Sequence, residues 1–106
     1  MSGGTSKGHS LLGEQELDTM CDFFKMMADR TRLRILMELL EGSLCVMHIS
    51  ERVGMSQSAT SHQLALLRKA KLVHVTRKGK SVAYSISDEH VRLMLDTAML
   101  HVHEEE

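Results

Sequence analysis

The stretch CVMHISERVGMSQSATSHQLALLRKAKLV, residues 45–73, decides the fold. It reads as a short helix, a turn at Gly54, Met55 and Ser56, and a second helix whose first turn Ser56 is placed to cap. Two helices around so tight a turn have helix-turn-helix spacing. In the second helix Leu64 and Leu67 face inward, while Gln57, Ser58, Thr60, Ser61 and His62 crowd the first turns. A helix that meets only water more often carries Glu and Lys there. Short neutral donors and acceptors suit a surface laid against base edges and phosphates.

The flanking segments complete a pattern. After Leu72, VHVTRKGKSVAYSIS (residues 73–87) alternates Val73 and Val75 with His74 and Thr76, turns at RKGKS, and returns through Val82, Tyr84 and Ile86. This predicts a β-hairpin whose tip holds Arg77, Lys78 and Lys80 around Gly79. Upstream, LDTMCDFFKMMADRTRLRILMELLEG (residues 17–42) spaces Leu17, Met20, Phe24 and Met27, then Ile35, Leu36, Leu39 and Leu40, by threes and fours. Two scaffold helices follow, with Asp29 and Thr31 as capping types at their junction and Gly42 closing the second. With a last helix after Asp88, the order is ααααββα: a mainly α winged helix-turn-helix with a β-hairpin wing. Residues 1–13 read as a loose arm and 14–106 as one DNA-binding and dimerisation domain, without repeats or an interdomain linker.

Charge supports the same reading. The net charge is −1, but residues 1–51 carry five bases and eight acids, residues 52–87 seven bases and no acid, and residues 88–106 one base and six acids. An acid-free basic block inside an acidic chain is what a phosphate-facing surface requires, and the hairpin tip would run along the sugar-phosphate backbone. With three aromatics and nine methionines among 106 residues, a lone copy has a thin core, so a homodimer is expected. Cys21 and Cys45 are too few for a disulfide framework, MSGGTSKGHS lacks the apolar core of a signal peptide, and no apolar run approaches the ~18 residues of a membrane span. The expected setting is the cytoplasm, without membrane.

Over residues 14–106 the chain resembles the ArsR/SmtB metal-sensing repressors. ADRTRLRILMELL is similar to that family's second-helix signature, SQSATSHQLALLRKAKLV to its recognition helix, and RKGKSVAYSI to its wing. The resemblance implies that Gln57, Ser58, Ser61 and His62 meet double-stranded operator DNA. It also implies a homodimer joined by first and last helices, and release of the operator when metal binds, derepressing a metal efflux or sequestration gene. SLCVMHIS resembles the family's cysteine-bearing ELCVCDL stretch, but Met47 stands where a second cysteine would be and His48 replaces an aspartate. Cys45 with His48 is therefore only an accessory donor pair, to which His9 or Cys21 could add, and a buried structural Cys45 is the simpler reading.

The chain closes on DEHVRLMLDTAMLHVHEEE, residues 88–106, with three histidines and six acids. Asp88, His90, His101 and Glu104 are the candidate metal ligands. On one helix residues 90 and 101 share a face, since eleven residues make about three turns, yet they lie about 16 Å apart along the axis. Zinc wants donors about 2 Å away, so one helix cannot bring both histidines to one ion. Two antiparallel copies can: residues face each other when their numbers have a constant sum, and the pairs 90/101 and 88/104 sum to 191 and 192. Each of two sites then takes Asp88 and His90 from one chain and His101 and Glu104 from the other. The family's Asp-x-His…His-x-x-Glu motif matches at every ligand position.

Two imidazoles and two carboxylates suit Zn(II) as the sensed effector, with Co(II) or Ni(II) as alternatives. His103 lies outside the pattern, as bystander or extra donor. Read by composition alone the segment would be a solvated tail, with Asp88 as a helix cap regardless of metal. No enzyme is expected: the proposed site is filled by four protein ligands, and no Gly-rich phosphate loop or activated nucleophile stands elsewhere. The rival reading is a winged-helix regulator sensing oxidants or sulfide through Cys21 and Cys45.

Overall fold

The computed structural model describes residues 12–104. The order is α1 (Glu14–Met27), α2 (Arg30–Leu39), α3 (Val46–Val53), α4 (Gln57–Lys69), β1 (Val73–Lys78), β2 (Ser81–Ile86) and α5 (Glu89–Glu104), the ααααββα succession read from the sequence. Most of the expected N-terminal arm, together with Glu105 and Glu106, lies outside the described residues.

Local chemistry sets the boundaries. Gly13 precedes α1 and its N–H donates to the Glu16 carboxylate at 2.6 Å. Asp29 caps α2 by accepting from the Arg32 N–H at 3.0 Å. Gly42, expected to close α2, stands three residues beyond its last residue, Leu39, at φ 151°; Leu40 is the cap. Gly54 ends α3 in the left-handed region (φ 71°, ψ 37°), where a side chain would be strained, and this makes the tight turn of the helix-turn-helix possible. Ser56 then starts α4, its Oγ accepting from the Ala59 N–H at 3.0 Å.

The hairpin pairs Val73 with Ile86 through Lys78 with Ser81, leaving Gly79 and Lys80 as the turn. Gly79, at φ 60°, holds the first central position, where a II′ turn requires glycine. Leu44, between α2 and α3, exchanges both backbone hydrogen bonds with Tyr84 at 3.0 and 2.8 Å, so the wing is tied to the segment that leads into α3.

One core joins all five helices. Ile35, Leu36 and Leu39 of α2, Ile49 of α3, and Leu64 and Leu67 of α4 are fully buried with Leu72; Val73, Ile86, Val91 and Leu95 close it from the wing and α5. From α1 only Met27 is buried. The rest of its apolar stripe stays outside: Leu17, Met20 and Phe24 are 44–49% exposed, and on α5 Leu93, Leu100 and Val102 are 60–65% exposed. The thin core expected from composition is thus a division of labour, with the first and last helices leaving apolar faces unburied within one chain. Among the described residues, no helix is long and apolar enough to cross a membrane.

Candidate metal centre and nucleic-acid interface

The recognition surface is built on α4. Gln57, Ser58, Ser61 and His62 are all exposed and recur at positions that share a face of one helix. Thr60 is a correction: it is fully buried, its hydroxyl donating to the Ser56 carbonyl at 2.8 Å, so it packs with Leu64 and Leu67 and offers DNA nothing. A hydroxyl one position off the outer face can satisfy itself on its own helix, and that lets a polar residue enter the core. At the wing tip Arg77, Lys78 and Lys80 are exposed, as the hairpin reading requires.

The basic block needs one adjustment. Arg52 is not an unpaired charge: its guanidinium lies 3.4 Å from Glu38 and 4.0 Å from Glu41. These acids are remote in the charge pattern because they sit on α2 and just beyond it, which the fold lays against α3. Glu38 also lies 3.6 Å from Arg34.

On α5, Asp88 precedes the helix and its Oδ1 accepts from the Val91 N–H at 3.0 Å, the capping role foreseen for it. Its Oδ1 also lies 3.7 Å from Nδ1 of His90, and both side chains are open to solvent, at 54% and 94% exposure. Two donors of one tetrahedral zinc, each about 2.05 Å away, stand about 3.3 Å apart. The Asp88–His90 pair is therefore within a few tenths of an ångström of the separation a shared ion needs. His101, His103 and Glu104 are exposed in the last turn of the same helix. Among the described residues, no three His, Cys, Asp or Glu side chains gather into a potential ion site within one chain.

The cysteines are free and lie apart: Cys21 lines an apolar groove with Leu17, Met20 and Phe24 on the open face of α1, whereas Cys45, at the start of α3, lines a groove with Arg77, Lys80 and Tyr84. His48 is exposed on α3, and His74 lies 3.2 Å from Ser85 across the hairpin.

Three anchoring side chains had no sequence signal of their own. Arg32 donates to the Met26 carbonyl of α1 at 2.8 Å and to Gln63 of α4 at 3.3 Å, pinning the first helix to the recognition helix. Arg92 of α5 donates to the Leu40 carbonyl at the end of α2 at 2.5 Å. Ser87 donates to the Lys71 carbonyl, past the end of α4, at 2.7 Å. Each uses a backbone carbonyl, which every residue carries and which therefore leaves no trace in residue type.

A winged helix with an outward polar recognition helix and a basic wing is a DNA-binding architecture. The family model described as "Bacterial regulatory protein, arsR family" matches residues 29–75, from the α2 cap into β1. Over 98 residues the chain is 39% identical to the HTH-type transcriptional regulator NmtR of Mycobacterium tuberculosis, covering 92% of this chain and 82% of that protein. The chain belongs to the ArsR/SmtB family. It is also 36% identical, over 94 residues, to the cadmium resistance transcriptional regulatory protein CadC homolog of Staphylococcus aureus, covering 88% of this chain and 78% of that one. Among solved structures, a homodimeric winged helix-turn-helix DNA-binding domain from Mycobacterium bovis, described as a possible ArsR-family regulator, superimposes with a TM-score of 0.79 at 28% identity, covering 99% of this chain and 93% of that one. This ArsR/SmtB member is a transcription regulator rather than an enzyme.

Proposed function

We propose that the protein is a Zn(II)-responsive repressor that holds operator DNA as a metal-free homodimer and releases it when Zn(II) is bound between the two α5 helices. The observation that carries the metal reading is the Asp88–His90 pair: two exposed donors of hard and borderline type, 3.7 Å apart, at the start of a helix whose other end presents His101 and Glu104. The open apolar faces of α1 and α5 support pairing through those helices, and burying them is the ordinary route by which a thin-cored chain gains stability. A cadmium-resistance regulator and a homodimeric domain among the similar proteins fit the same reading.

In this account Asp88 and His90 of one chain and His101 and Glu104 of the other hold the ion, so each site ties both chains. Gln57, Ser58, Ser61 and His62 read base edges, and Arg77, Lys78 and Lys80 follow the backbone. The two recognition helices of a dimer must enter successive major grooves about one DNA turn apart. Fixing the α5 pair in one arrangement biases that separation. Coupling between such sites typically amounts to 1–3 kcal/mol and is reciprocal, so DNA weakens zinc by the factor by which zinc weakens DNA. Co(II) and Ni(II) suit the same donors and are tested alongside.

The test is DNA affinity, measured with and without each metal, on a duplex selected from a random pool by the metal-free protein. Zn(II) should weaken binding of the wild type, and His90→Ala and His101→Ala should each abolish the response while leaving metal-free binding unchanged. A response that survives both substitutions would refute the site.

A further inference from the structure

The end of the recognition helix is unusual. Helix α4 finishes in a six-residue cap in which the Leu72 N–H donates to the Leu67 carbonyl and the Lys71 N–H to the Arg68 carbonyl, both at 2.9 Å. Leu67 and Leu72 are both fully buried, which completes the hydrophobic contact of a Schellman motif. That motif needs a left-handed residue at its penultimate position, and glycine is its usual occupant. Here the position is Lys71, at φ 64°, the one non-glycine residue with positive φ among the described residues. Helix α3 makes its left-handed turn with Gly54 at no steric cost; α4 makes the same turn with a residue whose Cβ is disfavoured there. A strained residue of this kind persists only where its surroundings hold it.

What holds it is Ser87. Its hydroxyl donates to the Lys71 carbonyl at 2.7 Å and its N–H to the Leu72 carbonyl at 3.1 Å. The next residue is Asp88, which caps α5 and lies 3.7 Å from His90. Adjacent residues thus have different partners: Ser87 fastens the strained end of the recognition helix, and Asp88 begins the candidate metal pair.

We propose that Ser87 is the positioning residue that couples the metal pair to the recognition helix within each chain. Drawing Asp88 and His90 onto an ion shifts the start of α5, and the Ser87 hydroxyl moves with its neighbour. The strained turn at Lys71 persists only while its surroundings hold it, so the helix end is sensitive to that shift. The inference rests on the reading of Asp88 and His90 as ligands. It goes beyond that reading by naming the path to α4, and it assigns the link to a residue that binds neither metal nor DNA.

The test uses the full-length protein and three substitutions: Ser87→Ala removes the hydroxyl but keeps the backbone tether, Ser87→Thr keeps the hydroxyl, and Lys71→Gly removes the strain. Zinc affinity is read by chelator competition, and coupling as the ratio of DNA affinities without and with Zn(II). Ser87→Ala should leave zinc affinity within about threefold yet shrink the coupling ratio about fivefold, the equivalent of one net hydrogen bond of about 1 kcal/mol. Ser87→Thr should retain it. Lys71→Gly should also shrink the ratio while raising the melting temperature, whereas Ser87→Ala lowers it, a contrast that a purely structural role does not produce. In the metal-free protein, Ser87→Ala should speed amide exchange at Leu72 about fivefold relative to amides in the middle of α4. A full wild-type coupling ratio in Ser87→Ala overturns the proposal. A wild type whose DNA affinity ignores zinc overturns the metal reading instead, and unchanged exchange at Leu72 would then overturn the clamp itself.

Discussion

Replacing Lys78 and Lys80 with alanine should weaken binding to every duplex by a similar factor, and its size is set by salt. Both lysines are exposed at the hairpin tip, and among the described residues neither is held in an ion pair, unlike Arg52. Each phosphate contact contributes about 0.9 to the slope of log affinity against log salt. Removing two lowers that slope by about 1.8, so over a fourfold rise in salt the variant should lose about twelvefold less affinity than the wild type. The fold should be unaffected, because the turn is made by Gly79 at φ 60° and the strands are joined by backbone pairs that alanine preserves. Fluorescence anisotropy of a labelled duplex between about 50 and 200 mM salt gives both slopes, the range over which such contacts dominate. A double variant with the wild-type slope would show that the wing does not lie on the backbone, whatever its affinity.

Three other substitutions separate parts of the account. His62→Ala should cost about 1–3 kcal/mol against the preferred duplex and much less against random sequence, because a base-edge contact is lost and no phosphate contact is; equal losses on both would place His62 off the bases. Cys45→Ser should leave the zinc-dependent loss of DNA binding within about twofold, and a variant that lost the response would move regulation to the start of α3. Phe24→Ala should leave the chain folded, since the ring is 49% exposed, but weaken self-association by about 2 kcal/mol for two rings, or about thirtyfold, in sedimentation equilibrium; an unchanged dimer would put the interface elsewhere.

The order of elements was legible because each local signal agreed with the global one. Ser56 caps α4, Gly54 makes the left-handed turn, Gly79 turns the hairpin, and the inward leucines of α4 are buried. The misreadings arose where a side chain's partner lies far away in sequence or in its own backbone. Thr60 looked like a recognition residue by type, yet it satisfies its hydroxyl on Ser56 and joins the core. Arg52 belongs to the acid-free block in sequence, yet α2 brings Glu38 beside it. Gly42 was assigned to the end of α2, but Leu40 is the cap. Periodicity gave α1 its helix but not its environment, because the same spacing serves a core within one chain or a face shared between two. The candidate metal pair was legible as Asp-x-His; its 3.7 Å separation follows from Asp88 serving as the α5 cap, which holds the carboxylate next to the first turn.

The central claim is that each metal site is completed by two chains, and one mixing experiment tests it most directly. His90→Ala and His101→Ala homodimers each lack a histidine in both sites. In a heterodimer of the two variants, one site loses both histidines and the other keeps its full set, His90 from one chain and His101 from its partner. Tagged heterodimers, purified and titrated with Zn(II) against a chelator, should therefore bind one ion per dimer with wild-type affinity, while either variant alone binds none tightly. Heterodimers that bind zinc no better than the parent variants, with the wild type binding tightly, would contradict the shared site and with it the antiparallel pairing of the last helices.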